Sequence, residues 1–117
     1  MSAAAIGPRA EALLWLAQRA SAAVLGVCVL VHLATIVIAV QGGLSAAEIL
    51  ARTRGSAVWA AFYAMFVLAV AIHAPIGLRA VARESLGWRG RSLEVVVAAL
   101  AVVLAALGWR AVSGLFA

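Results

Sequence analysis

The chain has 117 residues, 68% hydrophobic and 11% charged, with a mean hydropathy of +1.17 and a net charge of +5. That composition excludes a soluble domain whose surface must face water, and three spans of roughly 20 residues each leave no room for one beside them. The charge comes from nine arginines and four glutamates, with no lysine; the arginines are scattered between apolar runs, which excludes a basic nucleic-acid-binding block and suits interfacial anchoring.

Met1 to Ala5 carries no positive charge of the kind that opens a cleavable signal, and Arg19 interrupts the first long apolar run, so the N-terminus is expected to be retained. Pro8 to Arg19 is helix-prone, Pro8 suits a first-turn position, and this stretch is expected to precede the first span along the interface. The first span runs from about Ala20 to Val40 and ends at Gly42-Gly43. Within it, Cys28 reads as a small buried hydrophobe, and Ala22 with Gly26 has the spacing that lets helices approach closely. Ser45-Ala46-Ala47-Glu48 is a capping box flanked by Leu44 and Ile49, which predicts a short interfacial helix to about Thr53. Gly55 and Ser56 turn the chain into a second span from about Ala57 to Leu78, and a third follows from about Ser92 to Val112. The expected fold is all-α: one transmembrane domain over residues 1–117, a three-helix up-down-up bundle that assembles with further anchor helices.

Arginine counting orients it. Arg9, Arg19, Arg79, Arg83, Arg89 and Arg91 fall on one side, and Arg52, Arg54 and Arg110 on the other. The excess places the N-terminus and the second loop in the cytoplasm, in a multi-pass protein of the cytoplasmic (inner) membrane. Trp15 and Trp88 fall at the inner interface and Trp59 and Trp109 at the outer one, where indoles prefer to sit.

The only ionisable groups well inside the spans are His32 and His73. A polar side chain in hydrocarbon is costly and usually marks a function. A neutral imidazole that ligates haem iron is stabilised by the metal bond and by the apolar macrocycle packed around it; a histidine that bridges two helices is the competing reading. Around His73, Gly77 lies one turn further on the same face and leaves bare backbone for a planar ligand. Arg79 and Arg83 follow at the inner interface as natural partners for two propionates. Pro75 removes a backbone bond and is expected to bend the helix beside the ligand. Tyr63 is placed either to donate a hydrogen bond near an outer haem or to meet an internal partner.

These residues resemble the cytochrome b membrane-anchor subunit of succinate dehydrogenase and fumarate reductase, the succinate:quinone oxidoreductases. The likeness rests on Arg19 in Gln18-Arg19-Ala20-Ser21, on the His-x-x-x-Gly-x-Arg pattern of His73, Gly77 and Arg79, and on the acidic Glu84 that follows. The resemblance implies that His73 is an axial ligand of haem b and that Arg19 lies near a quinone or a haem propionate, with Ser21 able to add a hydroxyl there. One turn before Arg19, Trp15 replaces the family's serine and is placed either to line the quinone headgroup pocket or to anchor at the interface. Anchors with two haems also carry a first-span histidine, which implies a second haem at His32.

Depth separates the two histidines. His32 lies thirteen residues beyond Arg19 and His73 six before Arg79, roughly 20 Å and 9 Å from the inner interface, a difference of about 10 Å. They are therefore assigned to different haems. With no third histidine, each iron needs a ligand from a second anchor chain, homologous or identical, unless one iron is five-coordinate or absent. The implied partners are an iron-sulfur subunit and a flavoprotein on the cytoplasmic face, quinone and lipid, with no nucleic acid. The implied role is electron transfer between the iron-sulfur subunit and quinone, without a catalytic residue of its own. The cytochrome b subunit of another dehydrogenase and a haem-free interaction or transport subunit remain the alternatives.

Overall fold

The computed structural model describes residues 6–117; Met1–Ala5, on which the reading of a retained N-terminus falls, lie outside the described residues. Four helices form: α1 Pro8–Gln41, α2 Ala46–Thr53, α3 Ala57–Ser85 and α4 Arg91–Phe116. Three of them, α1, α3 and α4, are long and apolar enough to cross a membrane, and no strand occurs among the described residues. The all-α, three-span architecture is as expected. The helices outrun the apolar segments because their backbone bonds continue into the charged flanks until a glycine, a serine cap or a loop ends them.

The largest such extension corrects an expectation. Residues 8–19 do not lie as a separate interfacial helix; they continue into the first span as one helix of 34 residues. No glycine or proline after Pro8 breaks the alanine- and leucine-rich run, so nothing separates the two parts. At about 1.5 Å per residue α1 is roughly 50 Å long, against a hydrocarbon core of about 30 Å. It ends at Gly42, whose N–H donates to the Ile38 carbonyl at 2.9 Å, followed by Gly43 in the left-handed region at φ 67°.

The capping box of α2 forms as read. The Glu48 N–H donates to Ser45 Oγ at 3.2 Å, and the Ser45 N–H donates to Glu48 Oε1 at 3.1 Å. The backbone bond from Ser45 is the main cause that lowers the Glu48 pKa below its ordinary value. The α2–α3 connection closes the far end of α4: Thr53 Oγ1 donates to the Leu115 carbonyl at 3.0 Å, the Gly55 N–H to Phe116 at 2.8 Å, and Arg54 Nε to Ala117 at 2.8 Å. Carbonyls that the last helical turn would leave unpaired are thereby satisfied, one of them by a cation.

α3 packs against both α1 and α4 and is the central element, while α1 and α4 touch each other little. It runs uninterrupted through the buried Pro75. Close approach to α4 depends on a glycine: a Cβ on Gly108 would sit 2.9 Å from Val67 Cγ2 and closer still to Cγ1. The Ala22 and Gly26 pair is not used this way, because Gly26 has nothing within 4 Å of an added Cβ. Cys28 is buried, as expected of a small hydrophobe. Only 6% of the most apolar window of each span is buried within the chain, so most of each helix is left for lipid or for other helices to cover.

Candidate functional site

The seam between α1 and α3 holds both histidines. The two helices are antiparallel, so contacts step in opposite directions along them: Glu11 meets Arg79, Gln18 meets Gly77, and His32 meets Tyr63. His32 is thus level with Tyr63, which precedes His73 by ten residues, or roughly 15 Å along α3. The histidines open onto different hollows, in keeping with the separation in depth read from the sequence.

His73 is part-exposed, yet its Nδ1 is buried and has no partner among the described residues. The ring edge that reaches the surface is therefore the opposite one, which carries Nε2. It borders an open groove along α1 that includes Ala22, Gly26 and Leu30. Gly26 and Ala22 keep the groove free of bulky side chains. Gly77 does not line this groove: the Gln18 side chain lies over it, with Nε2 3.3 Å from where a Cβ would be.

His32 sits in a more satisfied environment. Its Nδ1 is 3.1 Å from the Tyr63 hydroxyl, and its ring meets Tyr63 and Phe66 edge-on at centroid distances of 5.6 and 5.5 Å. Trp59 and Phe62 extend the aromatic cluster. Of the two options for Tyr63, the internal partner is present, and it is His32. The bond occupies one ring nitrogen and leaves Nε2 as the other.

At the N-terminal end of α1 a cleft of about 540 Å³ is lined by Trp15, Gln18, Arg19, Arg79, Arg83 and Glu84, among others. The structure thus gathers four of the eight residues singled out for cofactor binding, Trp15, Arg19, Arg79 and Arg83. Within the cleft they differ in commitment. Arg79 is buried; its Nε donates to Glu94 Oε1 at 2.7 Å and its Nη2 to Glu11 Oε1 at 2.9 Å, which clasps α1, α3 and α4 together. Arg83 Nη1 joins at Glu11 Oε1, 3.0 Å away. Arg19 forms no ion pair among the described residues; its guanidinium lies over the Trp15 ring, 4.7 Å from the centroid. Trp15 is therefore both a cleft wall and the platform for Arg19. Ser21 does not line the cleft; its buried hydroxyl donates to the Gln18 carbonyl of its own helix at 3.1 Å.

Three residues of the site were missed in the sequence: Glu11, Glu94 and Gln18. The up-down-up order puts both glutamates at the same end as Arg79, and they are two of only four carboxylates, so charge balance was the available signal. Gln18 gave none, because an amide beside an interfacial arginine is unremarkable until its burial is known.

A family model described as the succinate dehydrogenase/fumarate reductase transmembrane subunit matches residues 3–108. No curated protein and no solved structure matches the chain. With the match spanning nearly all of the three-span architecture and both histidines, the chain belongs to the succinate dehydrogenase/fumarate reductase transmembrane subunit family.

Proposed function

We propose that the chain is a haem b-binding membrane anchor of a succinate:quinone oxidoreductase-type complex, passing electrons between an iron-sulfur subunit and membrane quinone. One observation carries the reading. His73 presents a ring edge to an apolar groove bordered by Ala22 and Gly26, while its buried Nδ1 has no partner among the described residues. An imidazole so placed in a span suits an axial ligand of a planar apolar macrocycle. The haem, when bound, supplies one-electron chemistry that no side chain of this protein provides.

The chain's own residues have distinct tasks in this reading. His73 and His32 would each supply one ligating nitrogen, to separate haems, and a second anchor chain would supply the others. Arg19, held flat by Trp15 and, like Arg89 in the same cleft, without an ion pair among the described residues, would face a quinone oxygen or a propionate. Arg83 adds positive charge nearby, and Arg79 holds the helix ends that shape the cleft. Gly77 admits Gln18, and the Ser21 hydroxyl braces the backbone of Gln18. The iron-sulfur subunit and flavoprotein dock at this end, on the cytoplasmic face of the inner membrane, where the arginine excess lies.

For His32 a second reading has its own observation. The bond to Tyr63 satisfies the imidazole within the chain, as a helix-bridging histidine would be. A reduced-minus-oxidised spectrum of the purified complex tests both. The wild type is expected to show b-type absorbance, and His73→Ala to lose all or half of it. Loss of a further component in His32→Ala marks a two-haem protein, whereas a wild-type spectrum in that variant makes His32 a bridge. A wild-type complex with no b-type absorbance defeats the proposal.

A further inference from the structure

Two buried side-chain atoms have no hydrogen-bond partner among the described residues, Gln18 Oε1 on α1 and His73 Nδ1 on α3. Burying a polar atom unpaired is costly, so two of them in one seam call for a common explanation. Their placement supplies it. The Gln18 amide lies against Gly77, which is one helical turn beyond His73 on the same face of α3. Across the seam, Ala22 is one turn beyond Gln18 and borders the groove together with His73. Gln18 and His73 are therefore diagonal neighbours, offset by about one helical pitch, roughly 5 Å along the seam.

Their chemistry is complementary. An amide oxygen only accepts, and an imidazole whose Nε2 keeps its lone pair for a metal carries its proton on Nδ1, which donates. We propose that Gln18 Oε1 accepts a hydrogen bond relayed from His73 Nδ1–H through one bridging water. The bond holds the tautomer that leaves Nε2 free at the groove and fixes the rotation of the ring. Gln18 is a positioning residue that acts through His73. The absent side chain at Gly77 is part of the same device, because a methyl group there would crowd the amide at 3.3 Å. An acceptor on the far ring nitrogen makes the ligating nitrogen more basic, which favours the more highly charged, oxidised metal and lowers its potential.

The inference rests on His73 being a haem ligand, and the experiment separates the two claims. In the purified complex, the haem component that His73→Ala abolishes is titrated potentiometrically at its absorbance maximum, with its low-spin paramagnetic resonance signal recorded beside it. Gln18→Leu removes the acceptor, and the potential is expected to rise. Gln18→Glu offers a stronger acceptor of nearly the same shape, and the potential is expected to fall, with the resonance positions moving in both variants. Haem lost from the leucine variant but kept by the glutamate variant also supports the role. Unchanged potential and resonance in both, with haem present, overturn the role of Gln18 alone. A wild-type complex without haem overturns the parent reading and this one together.

Discussion

Arg79 shows how one side chain can close three helices. Its guanidinium directs separate N–H groups at Glu94 and Glu11, so charge-assisted bonds run from α3 to α4 and to α1 at the same end of the molecule. Arginine suits this because its fork is planar, divergent and always charged, whereas a lysine is a single flexible point. Arg79→Leu is expected to lower the stability of the solubilised complex by about 2–4 kcal/mol, since Glu94 loses its ion-pair partner, Glu11 keeps only Arg83, and both lost bonds were shielded by the burial of the arginine. Arg79→Lys should recover only part of this. Thermal unfolding of the two variants checks the prediction, and equal melting temperatures for wild type and Arg79→Leu would refute it. The arginine next to the His-x-x-x-Gly motif was legible as an interfacial cation; that its partners are carboxylates of this same chain depended on the long α1, which carries Glu11 to it.

Two glycines on the spanning helices illustrate how similar sequence signals serve different neighbours. Gly108 of α4 is pressed onto Val67 of α3, whereas Gly26 of α1 faces open space in the groove beside His73. Gly108→Leu is expected to destabilise the chain itself, by about 1–3 kcal/mol or more, because a β-branched valine cannot move aside within a packed helix interface. Gly26→Leu should leave the fold of the isolated chain intact but lower haem content in the assembled complex. Melting temperature and haem-to-protein ratio, measured on both variants, separate the cases; a haem-replete Gly26→Leu complex would remove the groove from the site. Small residues one turn apart in α1 suggested close helix packing, yet the tight contact formed at a glycine of α4 instead. Which small residue meets a neighbour depends on the rotation of each helix about its axis, and continuously apolar spans encode that rotation weakly.

Across the whole molecule, the up-down-up order brings the N-terminus of α1, the α3–α4 loop, the cleft and the clasp to one end, and the aromatic cluster around His32 and α2 toward the other. Six of the nine arginines lie at the first end, so that end is expected in the cytoplasm. Single cysteines at the exposed Ser85 and Ser45 test this in intact inverted vesicles with a membrane-impermeant maleimide, against the background of the buried Cys28. Ser85→Cys should be labelled and Ser45→Cys protected, and the reverse pattern would invert the topology.

Span number, the break at Gly42-Gly43, the capping box of α2 and the presence of two in-span histidines at different depths were all legible in the residues. These features depend on local backbone chemistry and on the cost of polar groups in hydrocarbon, and both act along a single chain. Contacts between helices were not legible. The pairing of His32 with Tyr63, the clasp of Glu11 and Glu94 on Arg79, and the burial of Gln18 beside Gly77 arise from helix rotation and register. Those follow from side-chain packing between spans that are apolar nearly all round, where hydrophobic patterning gives little direction and shape complementarity and a few polar contacts set the arrangement.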